Sequence, residues 1–436
     1  MAARSRSPYG RRPSLPLVLL AVLCLVSVGA RAAWLGDPCR SPCRTATDHV
    51  LVFDESYYVN AARVIAGLHP PPGAAYADAP LGNDPNAEHP QLAKLVMAGS
   101  IELFGDGPLA WRLGSIVFGT LAILGMYALV RAAGGGGWTA LGAAALMAAD
   151  NLLIVHGRIG TLDVYALAPM VWAAALYLRG HPLPAGFVLG LGACMKLVSV
   201  YLVFVLVVLE ALRWLGSREG AIRRLTHLAM AAGAGAVTFF GLLAILDQIA
   251  PPYDDAAGRL VAAGPFAHLG HMLSYAAAQT SPHGPRGIAS YPLAWLADYK
   301  PIVYLNVNPA RPADGLFGVH PAIHFLGLIS PPILLVAVPA LVAAAIAALR
   351  RRPARDRDPA VVAVAWFLGT FVPFLLLSLL WQRTSYIYYM VVVMPGLYAA
   401  AAWLAGRARR RPRLIGVWVA AVLVAAVIAY PLTPLP

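Results

Sequence analysis

The sequence predicts an all-α, polytopic membrane protein with about eleven transmembrane helices. Of its 436 residues, 59% are hydrophobic and only 12% are charged, whereas a typical soluble domain has about 25% charged residues. Several apolar runs reach the length of about 20 residues that crosses a bilayer. A chain of this composition cannot cover a surface that faces water, so a large soluble protein with many buried helices is disfavoured.

The predicted spans are separated by short loops and two long polar segments. We expect spans at about 15–35, 112–131, 138–157, 161–178, 183–197, 199–213, 228–249, 323–349, 360–380, 385–405 and 414–433. The run 183–213 is divided where Lys196 interrupts it. The first run has a second interpretation as a cleaved signal peptide, because Ala30-Arg31-Ala32 is similar to a cleavage site.

These spans divide the chain into five regions. They are a cytoplasmic N-terminus with the first helix (1–35), a first extracytoplasmic loop that contains the candidate base (36–111), helices two to seven (112–249), a second extracytoplasmic loop (250–321) and helices eight to eleven (322–436). Two amphipathic stretches in the first loop, at about 55–67 and 91–104, predict helices that lie in the membrane interface. The alternative is an ordinary small folded loop.

The basic residues predict the orientation. Arginine accounts for 30 of the 33 basic residues, and 20 of the 33 fall in segments that share one side if the N-terminus is cytoplasmic. The positive-inside rule then places both long polar segments outside a plasma membrane. The net charge of +13 is explained by this topology, and nucleic acid is not an expected partner because no solvated basic domain is present.

Residues that can carry chemistry gather in the predicted outer regions. Asp54-Glu55 follows the first span, Lys94 lies in the second amphipathic stretch, and the segment Asp150 to Asp163, with Arg158, lies at the outer ends of two spans. A carboxylate beside a membrane suits general-base catalysis on a hydroxyl, and Lys and Arg suit a phosphate. The alternatives are a solvated surface pair at Asp54-Glu55 and a structural ion-pair network between the spans.

Ordered motifs carry a family resemblance. They are Phe53-Asp54-Glu55 with Tyr57-Tyr58, His89-Pro90-x-Leu92-x-Lys94-Leu95, Phe104-Gly105, Ala110-Trp111-Arg112-Leu113, Asp150-Asn151 with Arg158-Ile159-x-x-Leu162-Asp163, then His283, Ser290, Trp295, Pro301, Tyr304, Gly318 to Ile323, and Arg383 with Tyr388-Tyr389. Over about residues 50–400 the chain resembles the protein O-mannosyltransferase family, of bacterial type. That family belongs to the polyprenyl-phosphate-sugar-dependent glycosyltransferases of the type C (GT-C) fold.

The resemblance implies an inverting sugar transfer. In this family a sugar, usually mannose, is carried on a polyprenyl phosphate, and an acceptor hydroxyl of a protein attacks its anomeric carbon. By resemblance, Asp54 is the base and Glu55 positions the acceptor or the donor. The expected ligands of the donor and its phosphate are His89, Lys94, Asp150, Arg158, Asp163, His283 and Arg383. Within this set, Asp163 is expected to orient Arg158.

The chain also departs from the family. Gln91 stands where a second Pro is usual, and His320 stands where Asn is usual before Pro321. The loop 250–321 is too short for the β-trefoil domain of the eukaryotic members. The acceptor, a protein or a glycan, is therefore left open.

Other interpretations remain at this stage. The same chemistry could use another sugar or a glycan or lipid acceptor; a lipid or sugar transporter and a scaffold subunit are alternatives of other classes. No cofactor is assigned, and a divalent cation is left open. His268-x-x-His271 could bind a metal or simply belong to a loop helix, and Cys39 and Cys43 could be a disulfide or a free pair.

Overall fold

The computed structural model describes residues 14–40, 43–307, 316–317, 323–350 and 358–432. Within them, seven apolar helices are long enough to cross a membrane. They are α1 (Leu15–Ala32), α4 (Pro108–Ala132), α9 (Tyr201–Gly216, preceded by the 3₁₀ turn Leu197–Val200), α10 (Ala221–Ile249), α13 (Pro331–Arg350), α14 (Pro359–Leu380) and α15 (Met390–Arg407, preceded by the 3₁₀ turn Ile387–Tyr389).

Four further apolar helices are shorter than the usual span. They are α5 (Gly137–Ala149), α7 (Asp163–Leu178), α8 (Pro182–Met195) and α16 (Pro412–Ile428). The predicted class of an all-α, multi-pass membrane protein is confirmed. The number of eleven spans stays a prediction, because only seven helices have the length that a span requires.

The centre of the bundle is built from α7 and α15, whose side chains are buried along almost their whole length. Helix α7 packs against α4 and α8, while α15 packs against α13, α14 and α5. A helix that is apolar on all sides is expected at such a central position. Polar residues lie at the N-terminal end of α7 (Asp163) and in the turn just before α15 (Tyr388 and Tyr389), and that is where the candidate site forms.

Two predicted span boundaries are wrong. The expected span 138–157 is interrupted at Asp150, whose carboxylate accepts a hydrogen bond from the backbone N–H of Leu152 and begins the short helix α6 (Asn151–His156). The expected span 323–349 starts as strand β6 (Ile323–Gly327), and its helix begins only at Pro331. A short apolar run has no periodicity that separates a buried strand from a helix, which explains this second error.

The first polar segment (residues 36–111) contains both predicted helices, α2 (Glu55–Ile65) and α3 (Leu92–Phe104). Almost all of α2 is covered by protein. Helix α3 buries a mainly apolar face that also includes Lys94, while Leu103 and Phe104 at its C-terminal end are exposed, Leu103 to 78%. An exposed apolar end suits contact with lipid, whereas α2 has no such end.

The second polar segment (residues 250–327) carries the remaining elements. They are β2 (Tyr253–Asp254), β3 (Arg259–Leu260), α11 (Pro265–Ala278), α12 (Pro292–Trp295), β4 (Ile302–Val307), β5 (Leu316–Phe317) and β6. β2 pairs with β3, and β4 pairs with β6, both antiparallel. β4 and β6 change register between Val303 and Leu305.

The two polar segments dock onto each other. Strand β1 (Cys39–Arg40) pairs with β5, and residues 84 and 86 form bridges with residues 252 and 254. A disulfide joins Cys39 to Cys43, which decides between the two alternatives for this pair. The expected motif at Gly318 to Pro321, including His320, lies outside the described residues.

Candidate active site

Asp54 lies at a sharp change of chain direction. Phe53, immediately before it, has a φ of 56°, which is uncommon for a bulky residue and is found mostly where surrounding structure enforces it. The Phe53 ring stacks on Tyr304 of β4 at 4.2 Å and meets Tyr388 edge-on at 5.6 Å. These rings hold the turn, and Asp54 follows it as the first residue before α2.

The Asp54 carboxylate is poised for proton transfer. It does not cap α2, and within the described part of the chain no group donates a hydrogen bond to it. Burial raises the pKa of Asp54 to about 6; Lys196 opposes this shift and Asp163 adds to it. A carboxylate with a pKa near the working pH, free of protein partners, has the properties of a general base.

The Glu55 carboxylate, unlike that of Asp54, is fully hydrogen-bonded to protein donors. It is completely buried and accepts both Nε and Nη2 of Arg112 at 2.8 Å, the N–H of Gly160 at 2.7 Å and the N–H of Val52 at 2.7 Å. A carboxylate with four donors has no free lone pair for a substrate. The expectation that Glu55 positions the acceptor or donor is therefore corrected: it positions the backbone beneath Asp54.

A glycine lies opposite Glu55. A Cβ atom on Gly160 would lie 3.0 Å from the carbonyl oxygen of Trp111 and 3.3 Å from the Val59 side chain. The missing side chain lets the backbone at Gly160 pack closely against Trp111, with its N–H 2.7 Å from Glu55 Oε1. Glu55 thus joins α2 to α4, through Arg112, and to the loop before α7.

Asp163 forms an ion pair with Lys196, which is not among the site residues predicted from the sequence. Its Oδ1 accepts a hydrogen bond from Lys196 Nζ at 2.8 Å, and its Oδ2 is 3.6 Å from His156 Nδ1. The other ring nitrogen of His156 shares a hydrogen bond with the Tyr304 hydroxyl at 2.9 Å. The expectation that Asp163 orients Arg158 is wrong.

One signal could have identified Lys196. It interrupts the otherwise apolar run 183–213, and an ionisable residue inside such a run marks a functional position by default. In the structure Lys196 lies between α8 and the 3₁₀ turn before α9, with its Nζ 5.8 Å from the centre of the Tyr388 ring. The positive charge of Lys196 lowers the pKa of both Asp54 and His89.

His89 and Arg383 complete the Asp54 cluster, which consists of Asp54, Asp163, Lys196, His89, Arg383 and the rings of Tyr388 and Tyr389. The His89 ring lies 5.8 Å from the Tyr58 ring. Burial lowers the pKa of His89 well below its usual value, and the positive charges of Lys196, Lys94 and Arg383 lower it further. His89 is therefore a neutral imidazole, able to donate or accept a hydrogen bond. Half-buried Arg383 donates to the carbonyl oxygen of Ala276 on α11.

Lys94 is not available to a ligand. It is completely buried, forms a 2.5 Å ion pair with Asp84, and donates to the carbonyl oxygens of Asn86 at 2.5 Å and His89 at 2.9 Å. All three ammonium hydrogens thus have protein acceptors. The expected contact with the donor phosphate is corrected to a role in holding the 84–89 turn, from which His89 projects.

Three other predicted ligands have different positions. Arg158 donates to the carbonyl oxygens of Trp34 and Ala30 and to the Tyr430 hydroxyl, so it joins α1 to the C-terminal end. Asp150 accepts from the N–H of Ser330 at 3.0 Å and from the Tyr398 hydroxyl at 2.5 Å. His283 is exposed in the second polar segment. Arg158 and Asp150 thus contact other parts of the protein, and His283 has no contact with the Asp54 cluster among the described residues.

In the motif His268-x-x-His271, both ring nitrogens of His268 are engaged by protein groups. His268 is buried, with its ring nitrogens 2.7 Å from Asp247 Oδ1 and 2.9 Å from the carbonyl oxygen of Ala87. Among the described residues, the one group with metal-ligand geometry is Cys39, Cys43 and His49, and its cysteines are oxidised to a disulfide. A disulfide sulfur is not a thiolate and does not bind zinc.

Comparison with known proteins adds a sequence match. Residues 88–240 match the family described as dolichyl-phosphate-mannose-protein mannosyltransferase. A polyprenol-phosphate-mannose–protein mannosyltransferase of Corynebacterium glutamicum is 34% identical over 132 residues, which are 30% of this chain and 25% of that protein. The match thus spans a quarter of that relative's length.

Solved structures extend the similarity to nearly the whole chain. The Pmt1-Pmt2 protein O-mannosyltransferase complex of S. cerevisiae, bound to the sugar donor, matches 97% of this chain and 90% of that chain, with a TM-score of 0.69 at 12% identity. ArnT of Cupriavidus metallidurans, bound to undecaprenyl phosphate, matches 93% of this chain and 62% of its own, with a TM-score of 0.57 at 19% identity. These likenesses show the GT-C fold.

Proposed function

We propose that this chain carries out a polyprenyl-phosphate-mannose-dependent transfer of mannose to a protein hydroxyl. The reaction takes place on the outer membrane face, inverts the anomeric carbon and uses Asp54 as its base. The supporting observations are the family match of residues 88–240, the fold, and the geometry of the Asp54 cluster.

The environment of Asp54 carries this proposal. It is the carboxylate of the cluster that has a raised pKa and no protein donor among the described residues, whereas Glu55 and Asp163 are both ion-paired. In the proposed reaction Asp54 removes the proton of the acceptor hydroxyl as its oxygen bonds to the anomeric carbon. The bond from that carbon to the phosphate oxygen breaks, and its electron pair leaves with polyprenyl phosphate.

Lys196 and Arg383 are the proposed ligands of the donor phosphate. Lys94 and Arg112 are saturated by protein acceptors, which removes them as candidates. Arg158 is held by the carbonyl oxygens of Ala30 and Trp34, away from Asp54. The charge of Lys196 is balanced by Asp163, while Arg383 has only a backbone acceptor among the described residues. Arg383 is thus the cation of the cluster that no carboxylate holds among the described residues, and it can bind an anionic leaving group.

The outer-face location rests on the distribution of arginine. The Asp54 cluster lies at one end of α15, whose other end leads into the arginine-rich stretch 407–413. By the positive-inside rule that stretch is cytoplasmic, so the cluster is on the opposite face.

A transfer assay tests the proposal. The purified chain would be mixed with polyprenyl-phosphate mannose and a Ser/Thr peptide, and mannosylated peptide would be measured by mass spectrometry. We expect Asp54→Asn to reduce transfer at least about 100-fold, the usual contribution of a general base. Asp78→Asn is the matched control, because Asp78 is an exposed carboxylate of the same polar segment. Full activity of Asp54→Asn would exclude the proposed base.

A second candidate keeps the chemistry and changes the substrates. The similarity to ArnT, a structure bound to undecaprenyl phosphate, favours a polyprenyl phosphate carrier but leaves the sugar and the acceptor open. Supplying polyprenyl-phosphate sugars other than mannose, with glycan or lipid acceptors, separates the candidates. A transporter or flippase, the alternative of another class, would move the lipid donor across the membrane of vesicles without forming a glycosylated product.

A further inference from the structure

A crevice between three helices lies at the end of the bundle remote from Asp54. Its volume is about 280 Å³, and it is lined by one face each of α5, α15 and α16. Helix α15, which is 18 residues long, begins beside the Tyr388–Tyr389 part of the Asp54 cluster and ends at Arg407. At 1.5 Å per residue, the two ends of α15 are about 27 Å apart.

The crevice has the dimensions of a lipid chain. The α5 residues that line it run from Trp138 to Ala149, which corresponds to about 16 Å along the helix. Small residues such as Gly142 and Ala145 on α5 and Ala405 on α15 leave the space. The wall is apolar except near the helix ends, so water gains few hydrogen bonds there and a hydrocarbon chain fits.

A positive charge stands at the mouth of the crevice. Arg409 lines it, is exposed, and belongs to a stretch with five arginines in residues 407–413. Among the residues that the structure describes, no carboxylate pairs with Arg409. Arginine binds phosphate through two parallel hydrogen bonds, which makes this end of the crevice complementary to an anionic headgroup.

We propose that this crevice binds one anionic glycerophospholipid of the bilayer. One acyl chain lies between α5, α15 and α16, and the headgroup phosphate is held by Arg409 with its neighbouring arginines. The site is distinct from the donor site, because a phosphate bound at Arg409 is separated from the Asp54 cluster by the length of α15. It therefore stands independently of the proposed sugar transfer.

Native mass spectrometry of the full chain tests this site. The protein would be released from nanodiscs that contain equal amounts of phosphatidylglycerol and phosphatidylcholine, and the retained lipids would be counted. We expect one retained phosphatidylglycerol per chain. Arg409→Gln should reduce its retention at least fivefold, while Ala145→Leu, which fills the crevice, should reduce retention of either lipid. Arg223→Gln is the control, because Arg223 is an exposed arginine of α10 outside the crevice.

The outcomes are decisive in both directions. Equal retention of the two lipids, or unchanged retention of phosphatidylglycerol in Arg409→Gln, would show that bulk lipid fills the crevice and would overturn the proposal. Since Arg409 is exposed, its replacement does not depend on repacking the bundle, so the test holds even if Ala145→Leu fails to fold. The readout involves no sugar transfer, and its result is independent of the catalytic proposal.

Discussion

At the residue scale, two neighbouring carboxylates have different environments. Asp54 has a raised pKa and no protein donor among the described residues, while Glu55 accepts four hydrogen bonds, two of them from its ion-pair partner Arg112. By resemblance the sequence assigns the base to Asp54 and a positioning role to Glu55, but the burial of Glu55 among protein donors depends on which side chain turns inward. That direction is decided by the turn at Phe53 and by the approach of Gly160, both of which are tertiary features.

The pH dependence of transfer follows from the raised pKa of Asp54. Burial raises this pKa to about 6, and a general base works only when it is ionised. We expect kcat/KM to rise about tenfold per pH unit below pH 6 and to level off above it. Steady-state transfer measured between pH 4.5 and 8 checks this. A profile that is flat across pH 6 would be inconsistent with Asp54 as the base.

Lys196 should act mainly on donor binding. We expect Lys196→Gln to raise the KM for the lipid donor about 10- to 100-fold, because a charge-assisted hydrogen bond contributes about 1.5–3 kcal/mol. Lys300→Gln, at an exposed lysine that donates to the Ala289 carbonyl, is the control and should leave KM unchanged. An unchanged donor KM in Lys196→Gln would remove this residue from the phosphate site.

At the scale of elements, long apolar helices were predictable and the site-bearing connections were not. The hydrophobic length of α4, α10 and α14 matches a bilayer, and no partner is needed to identify them. The break at Asp150 and the pairing of β4 with β6 depend on contacts with residues far away in the chain, such as Ser330. For the same reason the partners of Lys94, Arg158 and Asp163 could not be read from sequence spacing.

The Glu55–Arg112 pair should be essential to the fold of the first polar segment. Removing one member of a buried ion pair costs about 3–5 kcal/mol, because the remaining charge is left without a partner. We therefore expect Glu55→Gln to lower the Tm of the detergent-solubilised protein by several degrees, measured by intrinsic fluorescence. Glu102→Gln, at an exposed carboxylate of α3, should leave the Tm unchanged. Equal Tm values for the two variants would contradict the structural role of Glu55.

At the scale of the whole molecule, the arginine pattern predicts which face holds the site. The sequence alone indicated that the two long polar segments share one side, and the structure adds that they dock through β1–β5 and through the bridges of residues 84 and 86. The two free cysteines in the described residues, Cys24 and Cys194, are buried. The chain therefore offers a low background for labelling experiments.

Cysteine labelling of intact cells tests this orientation. Both positions chosen for labelling are exposed, and the proposed orientation puts them on opposite faces. Asp78→Cys, in the first polar segment, should therefore react with a membrane-impermeant maleimide, whereas Arg410→Cys should react only after permeabilisation. Labelling of both variants would contradict the orientation only if the unmodified chain stays unlabelled under the same conditions.

The central claim is that Asp54 performs the chemical step without being needed to bind the donor. Single-turnover transfer with polyprenyl-phosphate mannose, together with a donor-binding measurement on the same sample, tests this most directly. We predict that Asp54→Asn binds the donor as tightly as the wild type, within about threefold, and transfers sugar at least about 100-fold more slowly. Transfer by Asp54→Asn at the wild-type rate, or slow transfer explained entirely by lost donor binding, would contradict the account.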